Sequence, residues 1–194
     1  SDVLTAGTLN ISGNFKHLGY GLYDFSPNDN LKINFLKNGI TEISFANTEA
    51  HFNANTHFKS GQIKINTPFH GWKLNDNLSI SNTLPKFTNT LNLNGYSLTI
   101  NGNLSQPNGT MYVNGGILNI KGNYLLYKET ENPTTHVINK SYGGSLSMDS
   151  EKDVVNIEGN YETYAYSARS DVLTAGTLNI SGNFKHLGYG LYDF

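Results

Sequence analysis

Apolar residues alternate with polar ones at period two along most of the chain: Leu9 and Ile11, Ile63 and Ile65, Leu91 and Leu93, Leu98 and Ile100, Leu118 and Ile120, Val155 and Ile157. A strand sends successive side chains to opposite faces, so this spacing predicts short strands, each with one buried face. No window carries the 3.6-residue period of an amphipathic helix. The runs end at Gly, Asn or Pro, and five Asn-Gly pairs begin at Asn38, Asn94, Asn101, Asn108 and Asn114. Both residues accept the backbone angles of tight turns. The polar stretch 128–136 (KETENPTTH) reads as a loop protruding from this framework.

A longer period lies above the alternation. Residues 91–110 set over residues 111–130 align Leu91 with Met111, Leu93 with Val113, Leu98 with Leu118, Ile100 with Ile120 and Gly102-Asn103 with Gly122-Asn123, every pair 20 residues apart. The kernel LxIxGN returns at residues 9–15 and 178–184, and as VNIEGNY at 155–161, with a weaker relative, IKINTPF, at 63–69. Its glycines, Gly13, Gly102, Gly122, Gly159 and Gly182, are separated by 89, 20, 37 and 23 residues, which resemble small multiples of one coil. A period near 20 with two or three strands in each period is the arithmetic of a β-solenoid, in which every coil stacks on the one before. A sandwich explains the alternation and the turns but not the recurrent phase. The register is loose between Tyr20 and Lys86, where the runs are irregularly spaced.

Residues 170–194 repeat residues 1–25 letter for letter (SDVLTAGTLNISGNFKHLGYGLYDF). The 194 residues therefore divide into one full repeat unit, 1–169, and the start of the next identical repeat, 170–194. The expected fold is all-β, a β-solenoid (parallel β-helix) of about eight coils per 169-residue unit, advancing about 38 Å per unit at the usual strand spacing. Because the chain opens within a repeat, it is expected to be a piece of a longer protein.

Composition sharpens this. Asn is the commonest residue, with 28 copies, Gly adds 20, and charged residues make up only 14% with a single Arg, Arg169, so helix-forming surfaces are missing. The net charge is −2, or −1 for the unit once Asp171, Lys185 and Asp193 of the copy are set aside, and no basic footprint for nucleic acid exists. There is no cysteine, so disulfides and thiolate metal sites are excluded. No apolar run approaches the length of a membrane span.

The stretches LNLNGYSLTINGNLSQPNGTMYVNGGILNIKGNY and MDSEKDVVNIEGNYETYAYSARSDVLTAGTLNISGNF resemble the tandem-repeat β-solenoid proteins of bacterial surfaces, and their coil pattern is similar to that of filamentous-haemagglutinin-type adhesins. The resemblance implies an exported, elongated protein without enzymatic activity, secreted or held at the bacterial cell surface.

Candidate chemistry is sparse. Asp149, Glu151 and Asp153 alternate, which on a strand would turn three carboxylates one way and offer calcium hard oxygen ligands; the plainer reading is a solvated turn with Lys152 relieving repulsion. His51 and His57, with Glu49, lack zinc-site spacing. No nucleophile triad, phosphate loop or dinucleotide fingerprint is present, no cofactor is implied, and no catalytic residue is assigned. Trp72, Tyr161, Tyr164 and Tyr166 are candidate ligand contacts that could stack on glycans, or else they fill coil interiors.

The identity of the two copies carries the functional expectation. Interchangeable units suit a rod in which the last coil of one unit meets the first coil of the next, whether in one chain or between subunits. The junction residues would be Val172, Leu173, Leu178 and Ile180 with Leu9 and Ile11. The expected role is a structural repeat of a long extracellular fibre or stalk whose partners are other copies of itself, the alternative being a glycan-binding adhesin module. On this reading the two copies superpose by a translation along the coil axis.

Overall fold

The computed structural model describes residues 6–18, 30–45, 51–52, 55–65, 71–74, 77–81, 90–165 and 172–188. In chain order the strands are β1 (Gly7–Ile11), β2 (Phe15–His17), β3 (Leu31–Phe35), β4 (Thr41–Phe45), β5 (His51–Phe52), β6 (Asn55–Phe58) and β7 (Gln62–Ile65). There follow β8 (Gly71–Lys73), β9 (Leu78–Ile80), β10 (Thr90–Asn92), β11 (Ser97–Ile100), β12 (Leu104–Ser105), β13 (Thr110–Tyr112) and β14 (Ile117–Ile120). The last are β15 (Tyr124–Glu131), β16 (Ile138–Tyr142), β17 (Ser145–Ser147), β18 (Val154–Ile157), β19 (Tyr161–Ala165), β20 (Thr177–Ile180) and β21 (Phe184–Gly188). Among the described residues there is no helix, hence none long and apolar enough to cross a membrane.

These strands wind into a parallel β-solenoid. A long sheet runs β2-β4-β7-β9-β11-β14-β18-β20. The face that precedes it in each coil is built first by β1-β3-β6 and then by β5-β8-β10-β13-β17, and the face that follows it by β12-β15-β19-β21. From residue 90 to residue 165, where the coils are most regular, each coil gives one strand to each face; the last coil meets the preceding face through a single bridge at Leu173. Every pairing between coils is parallel, as a winding chain requires.

Like stands on like inside the coil. Ile63, Ile80, Ile100, Ile120, Ile157 and Ile180 form one column of the long sheet, and Leu78, Leu98, Leu118, Val155 and Leu178 form its neighbour. On the preceding face Trp72, Leu91, Met111 and Leu146 stack, and on the following face Leu104, Tyr124, Tyr161 and Phe184. Each interior aliphatic residue of these columns contributes on the order of 1.5–3 kcal/mol by leaving water.

The coil count is about six turns, fewer than the eight expected; the eight strands of the long sheet include the two end rungs as well. The reason is local. The 37-residue gap between Gly122 and Gly159 is one coil, not two, because β14 pairs directly with β18. The surplus leaves the coil as the antiparallel hairpin β15–β16, pairing Tyr127 with Tyr142 and Glu131 with Ile138. The expected polar loop at 128–136 is thus the outer part of an ordered hairpin. Asn132 closes its tip by accepting from the Thr134 and Thr135 backbone N–H groups.

The Asn-Gly pairs divide by role. Asn94-Gly95 and Asn114-Gly115 both have positive φ and form equivalent corners leading into the long sheet, not hairpin turns. At the corner leaving the long sheet, the kernel glycines approach one another closely. Gly122 N donates to Gly102 O at 3.1 Å, Gly159 N to Gly122 O at 3.0 Å and Gly182 N to Gly159 O at 3.1 Å. A Cβ on Gly122 or Gly159 would stand under 3 Å from the backbone of the glycine below and from an asparagine side chain. Gly13, the copy of Gly182, has nothing within 4 Å of its would-be Cβ.

Gly122→Ala and Gly159→Ala are therefore expected to cost about 2 kcal/mol or more, and Gly13→Ala less than about 0.5 kcal/mol, in urea unfolding followed by circular dichroism. Equal costs at all three positions would contradict the close-approach account.

Candidate functional site

The outer surface of the coil carries side-chain ladders. On the long sheet Asn156 Nδ2 donates to Asn119 Oδ1 at 2.8 Å, and Asn179 Nδ2 to Asn156 Oδ1 at 2.8 Å. On the three-stranded sheet Asn34 Nδ2 donates to Asn10 Oδ1 at 2.9 Å. A second ladder runs up the corner after the long sheet, where the backbone N–H groups of Asn123, Asn160 and Asn183 donate to the side-chain oxygens of Asn103, Asn123 and Asn160. Every one of these bonds points from a later coil to an earlier one. A stacked asparagine can donate to one neighbour and accept from the other, which explains why the kernel repeats Asn after Gly.

The two identical segments lie at the two ends of this stack. In the first copy, β1 pairs with β3 and β2 with β4. In the second, β20 pairs with β18 and β21 with β19. The junction residues Leu9, Ile11, Leu178 and Ile180 face inward but are only half-buried, whereas their interior equivalents Leu98, Ile100, Val155 and Ile157 are 0–1% exposed. Leu173 bridges to Met148, and Val172 O accepts the Met148 N–H at 2.6 Å. Translation alone does not relate the copies. The strands of the first belong to the three-stranded and long sheets, those of the second to the long sheet and the sheet that follows it.

Of the candidate ligand contacts, Trp72 is 4% exposed and lies 6.3 Å, edge to face, from Phe58. Tyr161 is fully buried between Tyr124 and Phe184, with ring centroids 5.5 Å and 5.6 Å away. Both are core residues, because an inward phase on a strand buries an aromatic ring as readily as a leucine, and neither can stack on a glycan. Tyr164 is half-buried on β19, and Tyr166 lies outside the described residues.

The acidic triplet does not converge. Asp149 and Glu151 are exposed, while Asp153 is buried. One Asp153 oxygen accepts from Gly115 N, and the other from Asp149 N at 2.9 Å and Ser150 N at 3.1 Å. Its carboxylate ties the turn to the coil beneath. Among the described residues no three metal-ligating side chains gather.

One ionic cluster has no counterpart among the sequence-based candidates, since its members meet only through the hairpin. Lys140 Nζ on β16 donates to the Tyr127 hydroxyl at 2.8 Å and to Glu162 Oε2 at 3.3 Å, and lies 4.1 Å from the Tyr127 ring centroid. Burial pushes the Tyr127 phenol above the ordinary tyrosine value, against the pull of the Lys140 hydrogen bond. Burial lowers the Lys140 ammonium, but its hydrogen bonds to Tyr127 and Glu162 outweigh that and leave it raised. Compared with known proteins, the chain matches no family model, no curated protein and no solved structure.

Two outcomes are expected. Asp153→Asn should cost about 2–3 kcal/mol in urea unfolding, because an amide cannot accept all three backbone donors. Both members of the Tyr127–Lys140 pair hold their protons more tightly when folded, so the stability they contribute is full below about pH 10 and is lost as pH rises through the raised values. Protease cleavage within residues 127–142 should then accelerate above about pH 10 in the parent and respond less steeply in Lys140→Met.

Proposed function

We propose that the chain is a structural repeat of a long extracellular fibre or cell-surface stalk, secreted or displayed by a bacterium, with further copies of the same repeat as its partners. The observation that carries this reading is the pairing of an identical 25-residue segment at both ends of a solenoid with inward residues that are half-covered in each copy. A parallel solenoid leaves a row of backbone donors and acceptors at each end, and a following coil is the natural way to satisfy them. Among the described residues the acidic triplet splits, and two of the four aromatic candidates are core. The glycan-binding alternative keeps Tyr164 alone among its described carriers.

The eight strands of the long sheet span about 34 Å at the usual spacing. Chains extended by additional 169-residue units should therefore appear in electron micrographs as unbranched rods that lengthen by about that amount per unit. Beads joined by flexible segments, or particles that do not lengthen, would overturn the proposal.

A further inference from the structure

We propose that a second copy of this repeat docks its β3 and β4 on the β20–β21 edge, so that each junction turns the rod by one face of the coil. This rests on the fibre reading and adds to it the register and rotation of the joint. The argument begins with the two copies. In the first, Leu9 stands opposite Ile33, Asn10 opposite Asn34 and Ile11 opposite Phe35. In the second, Leu178 stands opposite Val155, Asn179 opposite Asn156 and Ile180 opposite Ile157. Identical residues thus have their neighbour on the later side in one copy and on the earlier side in the other. Laying one copy on the other makes a single rung with both neighbours, and the inward phase runs unbroken from Val155 and Ile157, through the shared Leu and Ile, to Ile33 and Phe35.

The hydrogen bonds make the superposition more than a match of phase. Asn179 uses its side-chain donor on Asn156, whereas Asn10, the same residue of the repeat, uses its side-chain acceptor for Asn34. Asn183 uses its backbone donor on Asn160, whereas Asn14, its equivalent, uses its side-chain oxygen to accept from Glu42 N at 3.0 Å and Lys37 Nζ at 2.8 Å. In each pair the two copies employ complementary halves of one asparagine. Both ladders therefore cross the joint in the same direction as they run inside the unit.

The rotation follows from the topology. β20 belongs to the long sheet, but its equivalent β1 belongs to the sheet on the preceding face; β21 belongs to the following face, but its equivalent β2 belongs to the long sheet. The long sheet of one unit must continue as the preceding face of the next. With three faces to a coil, successive units are turned by about a third of a revolution, and their β15–β16 hairpins spiral around the rod.

Disulfide trapping in a chain extended by one unit tests this. In such a chain residue 179 stands at position 10 of the second unit, and Asn179→Cys should cross-link with Asn34→Cys of that unit while its strand stays paired with β18, because opposed outward residues on neighbouring strands lie within disulfide reach. The pair Asn10→Cys and Asn34→Cys in the present chain, whose hydrogen bond is already seen, supplies the reference yield. A yield within about twofold of that reference supports the joint. Cross-linking of Asn179→Cys to Ile40→Cys of the second unit, the position that continues its column in the long sheet, would show that this sheet continues as itself without rotation, and no cross-link in a chain that still forms a lengthened rod would equally overturn the joint. In either case the fibre reading stands, whereas a chain that fails to lengthen removes both.

Discussion

In this fold the backbone hydrogen bonds run along the axis of the molecule, so no rung is complete by itself. A coil satisfies its N–H and C=O groups only through the coils above and below, and it buries its Leu and Ile only against theirs. Everything else follows from that dependence. It selects residues that recur in phase, it forbids a Cβ where glycine backbones meet at Gly122 and Gly159, and it makes the coil ends the most consequential surfaces of the chain.

Much of the architecture was legible because stacking imposes a period on the sequence. The columns through Ile100 and Ile120, and through Leu98 and Leu118, are visible in the letters as pairs 20 residues apart, and the structure places them opposite one another. The coil number was not legible. A gap of 37 residues resembles two coils, and only the pairing of β14 with β18 shows one coil carrying an excursion. Trp72 and Tyr161 fit both readings, ligand contact and coil interior, for a related reason: alternation tells which residues share a face but not which face is inside, and aromatic rings suit either. Asp149, Glu151 and Asp153 would align as calcium ligands only on a strand; the segment is a turn, as the plainer reading expects, and turns do not preserve that alignment. The Tyr127–Lys140–Glu162 cluster left no local trace, since its members are brought together across the hairpin and the next coil.

The asparagine ladders add a property that hydrophobic columns lack. Leucine stacked on leucine has no direction, but an amide donating downward and accepting from above does. From Asn34 on Asn10 to Asn179 on Asn156 the sense is the same, so the two ends of the coil are chemically distinct. In the joint proposed above, that polarity would favour head to tail over head to head, in which both partners would present the same kind of group.

The hairpin shows what such a fold can tolerate. The chain leaves the coil at Tyr127 and returns through Gly143 and Gly144, where a Cβ on Gly143 would collide with Tyr127 Cα, so departure and return are adjacent in space. The coils on either side pair as though nothing intervened. The excursion therefore adds length to the chain without altering the rise or the phase of the stack, and the surface it presents is set apart from the columns that hold the coils together.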